Sequence, residues 1–389
     1  MDLERFRRSP SGRVVQIGQG EAAYWAYVPN PLPPQLEWDV GLASILSAAD
    51  RALGQLAGLG RALPNPHLLI RPFIRREAVL SSRIEGTQTD MPHLYAYEAG
   101  QLAIPGLEPA PPEADVREVL NYVRALEFGL ERLGTLPVSL RLLREVHERL
   151  MRGVRGEQAT PGEFRRSQNW IGAPGCTLND ATFVPPPPDH LMNTLAAFET
   201  YLHAEDALPP LIRLAMIHYQ FEAIHPFLDG NGRIGRLLIV LLMNHWDLLP
   251  LPLLYLSAYF HRHRDQYYHL LLTVSQQGAW REWSEFFLQG VAEQSLDAIN
   301  RAHQLQDLQV AWHQRLQLNR STGLMYGIAD LLFESPITTA NDIAERFDVT
   351  HRTAMLTLRK LESLELLQEI SGRQRYQQFM AIDIMRIIQ

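Results

Sequence analysis

The sequence contains very little cysteine and lysine, and each absence excludes a kind of chemistry. Cys176 is the only cysteine among the 389 residues, so neither an intramolecular disulfide nor a cysteine-based zinc cluster can form. Lys360 is the only lysine, so no lysine nucleophile is available anywhere before it. Any catalytic or binding site in the first part of the chain must therefore use other residue types.

Long apolar runs and an excess of positive charge are also missing. The most apolar run, "LLIVLLM" from Leu237, is far too short to cross a bilayer, and the start "MDLERFRRSP" lacks the apolar segment of a secretory signal. The formal net charge is −7, so a surface that binds nucleic acid everywhere is not expected, although a local basic patch stays open. These features predict a globular protein of the cytoplasm with no membrane partner.

Helical periodicity dominates what is present, with proline and glycine at the breaks. The pattern predicts a mainly α-helical fold, with a proline-rich linker over 104–115 and one hairpin-like stretch, "NWIGAPGCTLNDATFVPPPP", over 169–188. The predicted helices cover residues 36–59, 72–86, 116–133, 139–151, 191–204, 211–224, 232–245, 264–276 and 281–318.

The stretch "HPFLDGNGRIGR" (225–236) places polar, flexible residues between two apolar helices. The backbone N–H groups that begin the second helix lack partners, and Gly230 and Gly232 let a ligand approach them closely, which favours an anion such as phosphate. Arg233 and Arg236 stand three apart on one helix face and suit a polyphosphate. An ordinary polar turn explains the glycines alone but not this combination of charges.

Two further residues of the stretch add catalytic chemistry. Asp229 can hold Mg²⁺ between phosphate oxygens, and His225 lies at the edge of the loop as a candidate general base. The twelve residues therefore combine a base, a metal ligand and an anion site.

The stretch resembles, without a mismatch, the HxFx(D/E)GNGRxxR signature of Fic-domain proteins. Most of those with the intact signature transfer AMP from ATP to a protein hydroxyl. The resemblance implies that His225 deprotonates a Ser, Thr or Tyr of the target, Phe227 packs inward, and Asp229 binds Mg²⁺ or Mn²⁺. It assigns the nucleotide contacts to the rest of the signature, namely Gly230, Asn231, Gly232, Arg233, Ile234, Gly235 and Arg236, the last at the γ-phosphate.

Upstream, "SSRIEG" resembles the (S/T)xxxE(G/N) inhibitory motif of the same family through Ser81, Glu85 and Gly86. The resemblance implies an inhibitory helix over about 72–86 whose glutamate pairs with Arg236. A carboxylate there would take the place of the γ-phosphate and misplace ATP for in-line attack. In some relatives the same glutamate positions a water that removes AMP, so Glu85 is a candidate for that reaction too.

The hairpin-like stretch resembles the family's flap, whose strand edge holds an extended target segment. Its candidate edge residues are Thr182, Phe183 and Val184, with Ile171 as a clamp on the opposite strand. Tyr267 is a candidate adenosine contact by resemblance, although a core tyrosine at helical spacing fits equally well. The histidines of "HRHRDQYYH" are expected to be solvated rather than metal ligands.

From 335 onwards the pattern changes to two short helices, an apolar segment and two short strands, which resembles a winged helix-turn-helix. Arg352, Arg359 and Lys360 would lie on or near its recognition helix. DNA binding and protein contacts both remain open, because acidic residues dilute this surface. The chain is thus predicted to contain an N-terminal helical region (1–112), a catalytic core (113–318) and a winged-helix domain (319–389).

The favoured function is a self-inhibited protein AMP-transferase, including self-modification. A DNA-binding regulator whose core only senses nucleotide is the alternative, and His225 argues against it because a sensor needs no base. The nucleotide base stays open, as does a homodimer.

Overall fold

The computed structural model describes residues 1–20, 23–62, 66–100, 110–154, 160–373 and 377–389, and the first part of the proline-rich linker predicted over 104–115 lies outside them. The fold is mainly helical, as predicted. Its helices are α1 (Leu3–Arg7), α2 (Val40–Ala62), α3 (His67–Ile84), α4 (Met91–Glu98), α5 (Glu113–Arg132), α6 (Leu140–Leu150), α7 (Pro188–His203), α8 (Pro210–Ile224), α9 (Asn231–His245), α10 (Ser257–Arg262), α11 (Arg264–Gln277), α12 (Trp280–Leu318), α13 (Gly323–Glu334), α14 (Ala340–Arg346), α15 (His351–Ser363) and α16 (Ile382–Ile388).

The strands are short and form two antiparallel sheets. They are β1 (Gly12–Ile17) and β2 (Tyr24–Pro29), paired with each other, and β3 (Ile337–Thr339), β4 (Gln368–Glu369) and β5 (Gln378–Met380) in the order β3-β5-β4.

The core is built around α8 and α9, which pack against each other. Both helices are buried along most of their length, from Leu211 to Ile224 and from Ile234 to Met243. Such helices are apolar on all sides because other helices surround them. The loop that joins them is therefore fixed at both ends by buried helix.

Helix α3 passes over the start of α9 and also packs on α5, α10 and α13. It begins at His67, five residues before the predicted start at Pro72, because Leu69 and Phe73 continue the same buried face. It ends where predicted: Glu85 is its C-cap and Gly86 follows with φ of 100°, a conformation that favours glycine.

The hairpin of β1 and β2 was not predicted from the sequence. It packs beside the flap, where the Tyr27 N–H donates to the Val184 carbonyl at 2.8 Å. The flap itself forms a single antiparallel bridge between Ile171 and Phe183 rather than two regular strands. Its turn is held by other hydrogen bonds, such as that from Thr177 to Asp180.

The last residues form a compact unit of α13, β3, α14, α15, β4, β5 and α16. Thr339 and Asp342 form a reciprocal cap at the start of α14, and Thr350 caps α15. Both α13 and α16 pack on α3. The C-terminal unit therefore contacts the same helix that reaches the loop before α9.

Candidate active site

The loop between α8 and α9 is held in shape by its own side chains. His225 ends α8 in the left-handed region at φ of 49°, and Gly230 precedes α9 at φ of 78°. Between them, Asn231 Oδ1 accepts from the Phe227 N–H at 2.8 Å, and its Nδ2 donates to the Phe227 carbonyl at 2.8 Å. The backbone of the loop is thereby set without a ligand.

Phe227 supports the loop from inside. It is fully buried and stacks on the His147 ring, with centroids 3.8 Å apart. His147 Nδ1 accepts from the Gly162 N–H at 2.9 Å, so its Nε2–H donates to the Asp229 carbonyl at 3.0 Å. Burial lowers the pKa of His147 to about 4, so the ring stays neutral and keeps this pattern at physiological pH.

His225 has the protonation pattern of a base. Its Nδ1 lies 3.3 Å from the Glu222 carbonyl, which can only accept, so Nδ1 carries the proton and Nε2 the lone pair. Burial lowers the pKa of His225 to about 4, and the positive charge of Arg165 acts in the same direction. The side chain lines a cavity, where a neutral Nε2 can accept a proton.

Arg236 points from the second turn of α9 toward the end of α3. Its Nε donates to Ser81 Oγ at 2.8 Å, and its Nη2 donates to the Ser81 carbonyl at 3.0 Å and to Glu85 Oε1 at 2.7 Å. Burial opposes ionisation of Glu85, but Arg236 outweighs it and holds the pKa of that carboxyl below its usual range. The structure thus brings the two predicted partners together as an ion pair.

Gly232 lies under that ion pair. A Cβ atom built on Gly232 would overlap Glu85 Oε1 and approach Arg236 Nη1 to 3.0 Å. No described side chain caps the start of α9, whose first N–H groups lack helical partners, and Glu85 Oε1 lies beside Gly232 in its first turn. The carboxylate therefore stands at a place suited to an anion.

The remaining signature residues have other partners. Arg233 is buried and pairs with Glu118 at 3.2 Å, while Ile234 lies in the core, so neither side chain lines the cavity. Gly235 has no side chain to offer a nucleotide, and its carbonyl oxygen lies 3.1 Å from His218 Nδ1. Direct contacts of Gly230, Asn231, Arg233, Ile234 and Gly235 with a nucleotide stay predictions.

A cavity of about 590 Å³ opens beside this loop. His225, Gly232, Arg236 and Glu85 line one end, and the flap covers it with Ile171, Thr182 and Phe183. The flap is tied to the loop by Asn169, whose Nδ2 donates to the carbonyls of His225 at 3.2 Å and Phe227 at 2.8 Å.

The structure leaves only part of the predicted flap edge accessible. Val184 is buried and its carbonyl is already paired with β2, so it offers no edge to a target. Phe183 is also buried, packed on Phe6 and Tyr27, and its N–H and carbonyl are paired with Ile171. The hairpin of β1 and β2 covers this side of the flap. The sequence around the flap does not indicate this contact, because the hairpin lies far upstream in the chain. Thr182 and Ile171 remain exposed.

Tyr267 lines the cavity, but it is almost fully buried and its hydroxyl lies 2.9 Å from His218 Nε2. The next residue, Tyr268, also lines the cavity and is 39% exposed. Tyr268 is therefore better placed than Tyr267 to meet a ligand, and the sequence did not distinguish the two. A tyrosine pair offers no pattern that separates a buried ring from an accessible one.

Comparison with known proteins gives this loop a family. Residues 43–131 match the model of the Fic/DOC family N-terminal region, and residues 137–243 match that of the Fic/DOC family, together about half of the chain. The chain belongs to the Fic/DOC family. It is 32% identical over 183 residues to "Protein adenylyltransferase Fic" of Drosophila grimshawi and 33% identical over 162 residues to the protein of that name from Culex quinquefasciatus.

These alignments cover 46% and 41% of this chain, and 34% and 29% of the two relatives. The chain thus spans about a third of the length of the curated relatives it matches. Solved Fic structures show the same fold. A Fic family protein from Desulfovibrio desulfuricans G20 aligns with 90% of this chain and 98% of its own at a TM-score of 0.58 and 20% identity, and Fic-1 (aa134 - 508) from C. elegans with 67% and 74% at 0.51 and 20%.

The described residues of this Fic protein contain no cluster of three or more His, Cys, Asp or Glu side chains that could enclose a metal ion. Asp229 still fits Mg²⁺, which commonly uses one or two carboxylates together with substrate phosphates and water. Its side chain is 49% exposed, and among the described residues Oδ1 alone is engaged, by the Gly230 N–H at 2.6 Å and by Arg233 Nη2 at 3.8 Å. Within the same ranges, no helix is long and apolar enough to span a membrane.

Two residues with a place in the site gave no sequence signal. His147 supports the loop from a helix nearly eighty residues upstream, and Glu222 looks like an ordinary polar residue near the end of an apolar helix. Their contacts follow from the way α6 and α8 pack against α9, which the local sequence does not indicate.

Proposed function

We propose that this Fic protein transfers AMP from ATP to a Ser, Thr or Tyr hydroxyl of a protein, including its own chain, and that Glu85 restrains it. One observation carries the proposal: a carboxylate occupies the anion position at the start of α9, on Arg236, while a neutral His225 stands at the other end of the same loop. The relatives named as adenylyltransferases support AMP as the transferred group.

In the proposed reaction, His225 Nε2 takes the proton of the target hydroxyl as its oxygen attacks the α-phosphorus. The new P–O bond forms while the bond to the bridging oxygen of the β-phosphate breaks, and pyrophosphate leaves. The N–H groups of α9 and the Arg236 guanidinium neutralise phosphate charge, which is the main catalytic need of such a transfer. Held by Asp229, Mg²⁺ or Mn²⁺ would add charge neutralisation between phosphate oxygens.

The restraint follows from the contacts of Arg236. While Ser81 and Glu85 occupy its guanidinium, the γ-phosphate has no free cation there and meets a carboxylate instead. A shift of the reacting atoms by about 1 Å costs about a hundredfold in rate. We also propose that Glu85 serves the reverse reaction by orienting the water that removes AMP.

The target segment is proposed to meet the flap on the side of Ile171. Trp170 and Ile171 are 42% and 39% exposed, and both line the cavity. The other side of the flap is covered by β2 at Val184, and the Ile171 N–H and carbonyl are already paired with Phe183, so the target is proposed to meet the exposed Trp170 and Ile171 side chains.

The test compares wild type with Glu85→Gly in the presence of Mg²⁺ and α-labelled ATP, and measures label on protein. We expect the variant to label itself or added protein at least ten times faster, because Arg236 becomes free for the γ-phosphate. Gln88→Gly is the matched control, since it puts glycine on an exposed residue three positions further on.

The double variant Glu85→Gly/His225→Ala should lose the label, because no base remains at the α-phosphate. Label that persists in this double variant would contradict the role of His225. Equal rates for wild type and Glu85→Gly would contradict the restraint. Absence of label from every form, with salt-dependent binding to DNA, would favour the nucleotide-sensing regulator instead.

Residues 319–389 are proposed to form a winged helix-turn-helix domain that contacts another protein. The order α13, β3, α14, α15, β4, β5 supports the assignment, and Leu356 on α15 is 63% exposed. DNA is the less favoured ligand, because Arg359 is already bound to Glu362 and Gln377. The regions 1–112 and 113–318, a homodimer and a cytoplasmic location also stay proposals.

A further inference from the structure

One carboxyl group in the cavity has no part in the reaction proposed above. Glu222 lies on α8, one turn before His225, and lines the cavity. Its Oε1 is shielded from solvent and receives no hydrogen bond from any described residue. A sheltered carboxyl without a donor costs stability, so its presence in the cavity calls for a reason such as a ligand or a bound water.

The fold makes room for this carboxyl. Gly235 on α9 faces Glu222, and a Cβ atom at that position would overlap Oε1 and come within 3.2 Å of Phe221. The Gly235 carbonyl is turned away to His218. Because residue 235 is a glycine, the Glu222 carboxyl has room to lie against α9 at the wall of the cavity.

Glu222 lines the cavity beside Gly235 and within electrostatic reach of Arg236 and Glu85, so it stands where the phosphate end meets the remaining space. Gly232 and Arg236 define the phosphate end, and the nucleoside must extend from the α-phosphate into the remaining space between α8, α11 and the flap. That space has mainly apolar and aromatic walls suited to a flat base. They are formed by Trp170, Ile171, Phe183, Ala223, Tyr268, Leu271 and Leu272.

Two polar side chains on the α8 and α11 walls of the cavity, Tyr219 and Ser275, already pair with each other. The Tyr219 hydroxyl and Ser275 Oγ are 2.8 Å apart, and Ser275 also donates to the Leu271 carbonyl at 3.2 Å. Glu222 therefore retains acceptor capacity on this wall. Burial raises the pKa of Glu222 to about 7, against the effect of Arg236 and together with that of Glu85, as expected for a carboxyl that lacks donors.

We propose that Glu222 is a specificity residue that accepts a hydrogen bond from the nucleoside of the bound nucleotide. The donor is a ribose hydroxyl or the exocyclic amine of adenine, which share the O–H or N–H that a carboxyl oxygen requires. Carboxylates read ribose hydroxyls in the same way at dinucleotide sites. The inference rests on the proposed AMP transfer and names the part of ATP that Glu222 recognises.

The experiment crosses changes in the protein with changes in the nucleotide. Binding of ATP, 2′-deoxy-ATP, 3′-deoxy-ATP and inosine triphosphate is measured by calorimetry, without turnover, for Glu85→Gly and for Glu85→Gly/Glu222→Ala. We expect one analogue, the one lacking the donor, to bind Glu85→Gly about ten times more weakly than ATP does. The affinity for that analogue should not change when Glu222→Ala is added, whereas the affinity for ATP should fall about tenfold.

Glu222→Gln is the conservative control, because its amide oxygen still accepts, and it should keep most of the preference for ATP. A structural role would lower Tm in Glu222→Ala, whereas removal of a sheltered carboxyl without a donor should leave Tm unchanged or raise it. Equal weakening of all four nucleotides by Glu222→Ala, or a lower Tm in that variant, overturns the inference. Failure of every nucleotide to bind Glu85→Gly would instead overturn the proposed function and the inference with it.

Discussion

At the scale of single residues, the site depends on protonation states that burial and neighbouring backbone groups impose. His225 and His147 are both neutral at physiological pH, and each has one ring nitrogen committed to a backbone carbonyl. Arg236 stays charged although it is buried, because Ser81 and Glu85 satisfy it. The charges and tautomers of the loop are therefore those that the proposed nucleotide site requires.

The lowered pKa of His225 has a measurable consequence. The base must be neutral to act, so a pKa near 4 places the acid limb of the rate near pH 4 rather than near the usual 6.5. In Glu85→Gly the limb should move lower still, because the Glu85 carboxylate raises this pKa. We expect the rate of AMP transfer at saturating ATP to change less than about twofold between pH 7 and 5.5.

The measurement is the pH profile of label incorporation by Glu85→Gly, with protein integrity checked at each pH. A fall of about tenfold between pH 7 and 5.5 would mean that His225 titrates normally, and that burial does not set its protonation state.

The residues of the loop could be predicted because their chemistry is contiguous in the chain. Glycine, arginine, aspartate and histidine within twelve positions indicate an anion site without knowledge of the fold. Glu222 could not be recognised, since its environment comes from Gly235 on another helix. Val184 was misassigned for the same reason, because its partner Tyr27 lies far upstream.

At the scale of the element, α3 is a helix anchored by a buried acid. Glu77, two turns before Glu85, is 2% exposed and accepts from the Tyr122 hydroxyl at 3.1 Å and the Ser257 hydroxyl at 2.5 Å. The Ser257 N–H adds a third contact at 3.3 Å. These contacts tie α3 to α5 and α10, so they hold Ser81 and Glu85 in register with Arg236.

Weakening this anchor should raise activity through Glu85. Glu77→Ala leaves buried donors unsatisfied, at a cost of about 1–3 kcal/mol for each. If that cost falls on the state in which Glu85 pairs with Arg236, the fraction of molecules without this ion pair rises roughly five- to a hundredfold. We expect faster label incorporation for Glu77→Ala than for wild type, measured at pH 7 with α-labelled ATP.

Tyr122→Phe is the milder matched variant, since it removes one donor and keeps the acid. Neither change should raise the rate of label incorporation by Glu85→Gly, because that variant no longer has the ion pair between Glu85 and Arg236. Acceleration of Glu85→Gly by Glu77→Ala would show that the anchor acts on the site by another route.

The bounds of most long helices followed from periodicity, and so did those of the short α14, whereas other short helices such as α1 and α4 were not predicted. Helix α12 was expected over 281–318 and runs from Trp280 to Leu318. Helix α4, by contrast, is buried on nearly all sides, so its eight residues show no amphipathic pattern. Tertiary packing determines whether such a short buried segment is helical. The residues of the segment itself do not reveal that packing.

At the scale of the whole molecule, the C-terminal unit contacts α3 directly. Arg71 pairs with Glu334 at 3.1 Å, and Arg76 Nε donates to the Gln389 carbonyl at 3.3 Å. Arg76 also pairs with Asp297 of α12 at 3.4 Å. A ligand of the C-terminal unit is thus connected to the restraint at Arg236 through one continuous helix.

Reversing one charge at this contact should loosen α3 slightly. Arg71→Glu places two acids together, and an exposed ion pair is worth about 0.2–1 kcal/mol, so transferase activity should rise by no more than about fivefold. The additional change Glu334→Arg restores the pair with residue 71 but loses the contact of Glu334 with Arg346 at 3.4 Å, so it should return the rate only part of the way to that of wild type. Label incorporation by the two variants checks this, and a rate unaffected by Arg71→Glu would mean that the unit and the restraint are independent.

Glu85 Oε1 occupies the place where a Cβ atom of residue 232 would lie, which limits how the proposed restraint can be removed. A larger residue at 232 would expel the carboxylate, but it would also fill the space proposed for the phosphates, so the same change would remove restraint and reaction together. A single substitution at that point cannot separate them. Mutations that release activity must therefore fall on α3 and its supports, where the restraint can be lost without damage to the site.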